Sequence, residues 1–219
     1  MIESSIQLLY ALYKKGYDNP SEDPWWWPNS GTFETVAGAI LTQNTQWKSV
    51  EASIRNLHEA QLLNPDALSR TETDTLERLI RPSGFYRSKA EYLQRMSQNM
   101  ISDFGSFKAF QRSVNRKWLL EQKGVGQETA DAILNYACHR EALVVDSYTQ
   151  RLLQSLGYTL KLYSEVQMWM LEGIGPACRE IFSDMPLAQC YARYHGMVVE
   201  YCKKNGRGRE IDTSGLLGL

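Results

Sequence analysis

No apolar run in these 219 residues approaches the ~20 that a helix needs to cross a bilayer, so a helical membrane span is excluded. An excess of one charge is also missing. Lys and Arg number 24 against 25 Asp and Glu, for a net charge of −1. The chain as a whole therefore does not attract nucleic acid, and any phosphate binding has to be local. Cysteine is sparse: Cys138, Cys178, Cys190 and Cys202 lie 40, 12 and 12 residues apart, with no CxxC pair to mark a compact zinc or redox motif. The expectation is four reduced thiols that pack as small hydrophobes. Nothing in "MIESSIQLLYALYKK" resembles a signal peptide, because it starts acidic and its apolar residues recur at helical spacing. The expected location is the cytoplasm.

Strand-like alternation is almost absent, "EALVVDSY" being the nearest candidate. Helical periodicity is what fills the chain, from "IQLLYALYKKGY" through "FETVAGAILTQNTQWKSVEASIRNLHEA" to "PLAQCYARYHGMVVEYCKKNG", punctuated by short Pro/Gly turns. Asn64-Pro65 and Thr73 each open a helix with a small polar cap and an acidic first turn. The fold class is therefore all-α, with about ten helices joined by loops of about 2–8 residues.

One stretch carries a chemical signal. In "LLEQKGVGQETADAILNYA", Gly124 and Gly126 bracket Val125 between two helical segments. Glycine permits a tight turn whose successive N–H groups point outward, and the next helix adds the positive end of its dipole, so the turn suits a phosphate. A plain helical hairpin ended by a glycine cap has the same pattern, and GxG alone does not separate the two.

The wider context does. "LLEQKGVGQETADAILNYA" followed by "VVDSYTQRL" resembles the helix-hairpin-helix and downstream aspartate of the endonuclease III superfamily of DNA glycosylases. "GAILTQNTQW" and "LIRPSGFYRSKAEYL" are similar to two further segments of that family, in family order. The resemblance implies that Gly124, Val125 and Gly126 bind a DNA phosphate, with the carbonyls of Leu120, Gln122 and Val125 holding a monovalent cation beneath it. It implies that Gln43 or Asn44, with Phe85, fills the hole left by an extruded base; an ordinary core role is the alternative for Phe85. Asp146 falls at the family's catalytic aspartate, where a carboxylate stabilises positive charge on the sugar or activates water. The alternative for Asp146 is an N-cap for the helix that follows.

Departures from the family are equally informative. Members that also cut the DNA backbone resemble one another in a lysine two residues after the second hairpin glycine, whose amine forms a Schiff base. This chain has Glu128 there, and a carboxylate forms no imine. The resemblance therefore implies a glycosylase without lyase activity, with Glu128 serving as an acidic first-turn residue. Four closely spaced cysteines for an iron–sulfur cluster are also missing, so no cluster is expected.

A narrower resemblance concerns the base. "WWWPN", "LTQNT" before an aromatic, "RPSGFY", "QKGVGQETADAI", "VVD" and "YARYHG" are similar to the bacterial 3-methyladenine branch of the superfamily. That likeness implies a pocket with Trp26, Trp27 and Pro28 on one side, Trp47 on the other and Lys203 near the rim. Met197 departs from relatives that carry a basic residue there. Aromatic faces contribute about 1–3 kcal/mol per stacked base, and more to a cationic one. Alkylated purines carry positive charge while still attached to sugar, so they need less catalytic help. From Arg193 to Arg209 the chain holds five basic residues against one acid, a modest case for nucleic-acid contact or simply a solvated tail. His195 is expected to pack or hydrogen-bond rather than to ligate a metal.

The expected architecture is a central bundle over residues 30–140, ending in the hairpin, and a second lobe of 1–29 plus 141–219 carrying Asp146, with the active cleft between them. The expected partner is double-stranded DNA containing alkylated bases, bound by a monomer. Two rival functions remain open at this point: a glycosylase for another damaged or mismatched base, and a non-enzymatic protein that binds DNA damage.

Overall fold

The computed structural model of the chain describes residues 2–18, 23–208 and 210–216. It divides into two compact units, a terminal unit of Met1–Pro28 with His139–Leu219 and a central unit of Asn29–Cys138. The terminal unit opens with α1 (Ser5–Lys14). The central unit follows with α2 (Phe33–Leu41), α3 (Trp47–Glu59), α4 (Pro65–Arg70), α5 (Thr73–Leu79), α6 (Tyr86–Phe104), α7 (Phe107–Ser113), α8 (Arg116–Leu120) and α9 (Gln127–Ala132). A wider π-helical turn, Ile133–Ala137, continues α9. The chain returns to the terminal unit with α10 (Ser147–Ser155), α11 (Tyr163–Leu171), α12 (Ile174–Phe182) and α13 (Leu187–Asn205). Among the described residues the only sheet is the ladder of β1 (Gly206–Arg207) and β2 (Glu210–Ile211), paired antiparallel with Gly206 opposite Ile211.

The fold class is all-α, as the periodicity indicates. Among the described residues thirteen α-helices stand against the expected ten or so; α4 and α5 begin where Asn64-Pro65 and Thr73 indicate, and the excess arises where one periodic run divides, as "FETVAGAILTQNTQWKSVEASIRNLHEA" does into α2 and α3. Asn64 Oδ1 accepts the Ala67 N–H at 2.8 Å to start α4, and Asn115 Oδ1 accepts the Trp118 N–H at 2.9 Å to start α8. "EALVVDSY" is not a strand: Leu143, Val144 and Val145 are buried in an extended connection outside any ladder.

Each unit has its own apolar interior. In the central unit Ile40, Leu41, Leu57, Leu68, Leu76 and Phe110 are fully buried. In the terminal unit Leu8, Leu9 and Leu12 of α1 pack in one cluster with Leu152, Tyr194 and Val198. Burial of each such side chain contributes about 1.5–3 kcal/mol before chain entropy is counted. The buried Tyr194 hydroxyl donates to the Ser5 carbonyl at 3.0 Å, which satisfies its polar end, and burial raises its pKa.

The expectation of four reduced thiols is corrected here. Cys178 of α12 and Cys190 of α13 form a disulfide, with Cα atoms 6.1 Å apart. A tight turn brings the two helices together so that both side chains reach one buried point, a juxtaposition that sequence spacing does not reveal. Cys138 and Cys202 stand outside the disulfide, and burial pushes the Cys202 thiol up to about 12. No helix among the described residues is long and apolar enough to cross a membrane.

Candidate functional site

The glycine turn lies in the central unit between α8 and α9. Gly124 has a φ of +82°, and a Cβ there would sit 2.3 Å from the Tyr92 ring, so both the backbone and the packing require glycine. Gly126 is different. Its φ of −91° suits any residue, and nothing lies within 4 Å of a Cβ built on it. The protein itself has no steric need for glycine at this N-cap, which leaves the backbone there open to close approach from outside. Val125 between them is buried, and its N–H donates to the Gln122 carbonyl at 3.1 Å. The turn is braced by Arg116, whose Nε and Nη2 donate to the two carboxylate oxygens of buried Asp131 at 2.7 and 3.1 Å. Glu128 is exposed in the first turn of α9, where a negative charge favours the dipole.

The carbonyls of Leu120, Gln122 and Val125 belong to this same connection. Helix α8 ends at Leu120, beyond which its ladder leaves carbonyls to find other partners. Gln122 O accepts one N–H within the turn and keeps a second lone pair. Neutral carbonyl oxygens of this kind suit a weakly charged hard cation.

Two further turns of the central unit carry the candidate insertion residues. Asn44 is exposed with φ +51°, in the connection between α2 and α3. Phe85 is 72% exposed with φ +45°, at the N-cap of α6, so it is not a core aromatic. A left-handed backbone at a bulky, exposed residue is a strained arrangement that neighbours must hold in place. Gln43 behaves differently from Asn44: its Nε2 donates to the Gly124 carbonyl at 2.8 Å and to Thr129 Oγ1 at 3.0 Å, tying this turn to the hairpin. Trp47, the first residue of α3, donates Nε1–H to Glu51 Oε1 at 2.9 Å and is partly exposed.

In the terminal unit Asp146 caps α10. Its Oδ1 accepts the Thr149 N–H at 2.9 Å and the Thr149 hydroxyl at 3.1 Å, forming a capping box. The N-cap reading therefore holds, and it also leaves the carboxylate oriented and half-buried with only one of its two oxygens engaged by described residues.

The three consecutive tryptophans, all in the terminal unit, have three separate environments. Trp25 stacks on His139 at 3.9 Å between ring centroids, and burial lowers the His139 pKa although Asp23 opposes the shift. Trp27 is buried, edge-on to Trp26 at 6.4 Å. Trp26, with φ +67°, lies directly over Gly196 of α13, where a Cβ would come within 2.4 Å of the ring. His195 beside it is buried and donates Nδ1–H to the Val144 carbonyl at 2.9 Å, which fixes its tautomer because a carbonyl only accepts. Pro28, partly exposed, ends this segment. Lys203 Nζ lies 5.9 Å from the Trp26 ring centroid and pairs with Glu200 at 2.9 Å. Met197 is buried. Arg209 of the basic run lies outside the described residues.

Two residues gain a role that sequence reading did not give them. Tyr92 seats the hairpin glycine, and Lys89, 2% exposed, bonds to both of the turns that carry Asn44 and Phe85. The "KA" of the quoted "GFYRSKA" segment was the sole sequence signal for Lys89. Among the described residues no three His, Cys, Asp or Glu side chains gather as a metal site.

A family model described as "HhH-GPD superfamily base excision DNA repair protein" matches residues 37–173. A provisionally named DNA repair glycosylase of Methanocaldococcus jannaschii is 37% identical over 220 residues, 96% of this chain and 94% of that protein. Endonuclease III of Thermotoga maritima is 29% identical over 126 residues, 58% of this chain and 57% of that one. Among solved structures, the chain is similar to the H. pylori 3-methyladenine DNA glycosylase MagIII bound to 1,N6-ethenoadenine, with TM-score 0.89, 39% identity, and coverage of 93% of this chain and 99% of that one. A trapped endonuclease III–DNA covalent intermediate is alike in fold, with TM-score 0.72 at 20% identity and coverage of 96% and 92%.

Proposed function

The chain belongs to the HhH-GPD superfamily of base excision DNA repair proteins, as one of its DNA glycosylases, and on that premise we propose that it is monofunctional and excises alkylated purines, chiefly 3-methyladenine. The hairpin N–H groups of Gly124 and Gly126 hold a DNA phosphate at the turn that Val125 completes, its own N–H being bonded to Gln122; the carbonyls of Leu120, Gln122 and Val125 would hold a monovalent cation that offsets the phosphate charge. Asn44 or Gln43, with Phe85, fills the space of the extruded base. Flipping the base out costs a few kcal/mol, which stacking on aromatic faces offsets. Trp26, Trp27, Pro28 and Trp47 supply those faces, with Lys203 at the rim. The Glu200 partner of Lys203 offsets the charge it would otherwise set against a cationic purine.

An N3-alkylated adenine leaves with its bonding electrons as a neutral base, because its positive charge already weakens the bond to the sugar. The sugar is left with oxocarbenium character, and the free oxygen of Asp146 stabilises it. Water adds to the anomeric carbon and gives up a proton to solvent, leaving an abasic site and an intact backbone. No protonated leaving-group catalyst is needed, and the carboxylates beside Trp47 and Lys203 are engaged by those residues. Glu128 stands where lyase members have an amine, so the backbone is not cut through that position.

The observation that carries this reading is the Asp146 carboxylate, with one oxygen held by its helix and the other available among the described residues. Incubation with methylated duplex DNA tests it, by chromatography of the freed bases and a gel run without alkali. The expected result is free 3-methyladenine with strands intact. Release of a normal or deaminated base instead, or strand breaks without alkali, contradicts it.

A further inference from the structure

The turns that carry Asn44 and Phe85 converge on one buried ammonium. Lys89 Nζ, in α6, donates to the Leu41 carbonyl at 2.8 Å, to Thr45 Oγ1 at 2.7 Å and to the Ser83 carbonyl at 2.7 Å. An ammonium has three donors and no acceptor, so these three bonds use its capacity fully. Thr45 in turn donates its hydroxyl proton to the same Ser83 carbonyl at 2.6 Å. Leu41 is the last residue of α2, three residues before Asn44, and Ser83 ends the short 3-10 turn Arg81–Ser83, two residues before Phe85. Carbonyls at helix ends lack ladder partners and carry the negative end of the dipole, which a cation complements.

Space-filling does not explain the choice of residue. A buried ammonium carries a desolvation cost that a methionine of similar length avoids. The return for that cost is a fixed spacing between two turns that no regular structure joins. Both tips, Asn44 at φ +51° and Phe85 at φ +45°, adopt a left-handed backbone, which asparagine tolerates and which strains the phenylalanine.

We propose that Lys89 is a positioning residue for DNA insertion, holding the 42–46 and 83–85 turns at one spacing so that Asn44 and Phe85 enter the duplex together. This rests on the reading of both residues as insertion residues in a base-flipping enzyme. Lys89 touches neither substrate nor the reacting atoms, and it acts through the two turns.

The test uses Lys89→Met, which keeps the stem and removes the charge, and Thr45→Val, which removes the bridging hydroxyl and spares the lysine. Two duplexes serve as probes: one with a tetrahydrofuran abasic analogue beside a fluorescent 2-aminopurine, and one undamaged. Wild type is expected to prefer the abasic duplex and to raise the 2-aminopurine signal by unstacking. Both variants are expected to melt cooperatively and to bind undamaged duplex within about threefold of wild type, through the intact hairpin. Each is expected to lose at least about tenfold of the abasic preference, together with the fluorescence rise. Retention of both signals in Lys89→Met overturns the proposal. An equal loss of affinity for both duplexes also overturns it, because that marks a merely structural lysine. If Lys89→Met fails to melt cooperatively, Thr45→Val decides by the same criteria. Failure of the enzyme reading is seen separately, as wild type that unstacks the abasic duplex but frees no alkylated base.

Discussion

The central and terminal units organise their functional residues in opposite ways. In the central unit the hairpin and the turns that carry Asn44 and Phe85 are joined by side-chain hydrogen bonds to backbone carbonyls, from Gln43 to Gly124 and from Lys89 to Leu41 and Ser83. In the terminal unit the aromatic segment is held by ring contacts and close approach, with Trp25 on His139 and Trp26 on Gly196. Hydrogen bonds to carbonyls fix backbone spacing, which matters for gripping a duplex of regular geometry. Ring contacts fix the orientation of a face, which matters for holding a flat base. Damage to the first region should therefore weaken or misplace the DNA, and damage to the second should leave DNA bound but slowly processed.

The largest effect is expected at Asp146. Asp146→Asn keeps an oxygen to cap α10 and removes the charge, so single-turnover excision should fall by about 10³-fold or more, the scale of losing a main transition-state stabiliser. Duplex affinity should stay within about threefold. A parallel collapse of affinity would mean that the cap alone matters, and would erase the contrast between the units.

Gly124→Ala should come next. It forces a left-handed alanine and a clash with Tyr92, each of order 1–3 kcal/mol, so the melting temperature and DNA affinity should drop together. Gly126→Ala sharpens the comparison, since the added methyl group meets nothing in the protein. Unchanged melting with about tenfold weaker binding to duplex is expected, the scale of one lost charge-assisted hydrogen bond. Unchanged binding would remove the phosphate from this turn. In the terminal unit Gly196→Ala should push Trp26 off its helix and slow excision about tenfold, the scale of one stacking contact, with duplex affinity intact.

The smallest effect is a pH dependence. Desolvation lowers Lys89 from the ordinary 10.5 to about 8, so between those values the folded chain has released a proton that the unfolded chain keeps. The unfolded state then binds more protons, and stability contributed by this group rises with pH across that window. Wild type should gain stability relative to Lys89→Met from pH 8 to 10.5 in chemical denaturation. Insertion should weaken over the same range, because a neutral amine has two N–H groups for three acceptors.

What the sequence revealed was local. Helical period gave the fold class, the glycine pair gave the hairpin, and a small acid before "SYTQRLLQSL" gave the Asp146 cap, because each depends on residues within a turn or two of one another. The Cys178–Cys190 disulfide, the seat of Trp26 on Gly196 and the Lys89 bonds depend on segments that only the folded chain brings together. Phe85 lay between these cases: its motif was readable, but only its exposure separates it from a core aromatic. Helices were under-counted where an apolar period continues across a turn, as it does across residues 42–46 between α2 and α3.

The central claim is that the site relies on a bond already weakened by positive charge. Single-turnover excision of 3-methyladenine should be compared with that of its neutral 3-deaza analogue in the same duplex, with both affinities measured. The account predicts that the cationic base is freed while the neutral analogue is bound and retained. Release of both at similar rates would contradict it, because the site would then have to activate the leaving group itself.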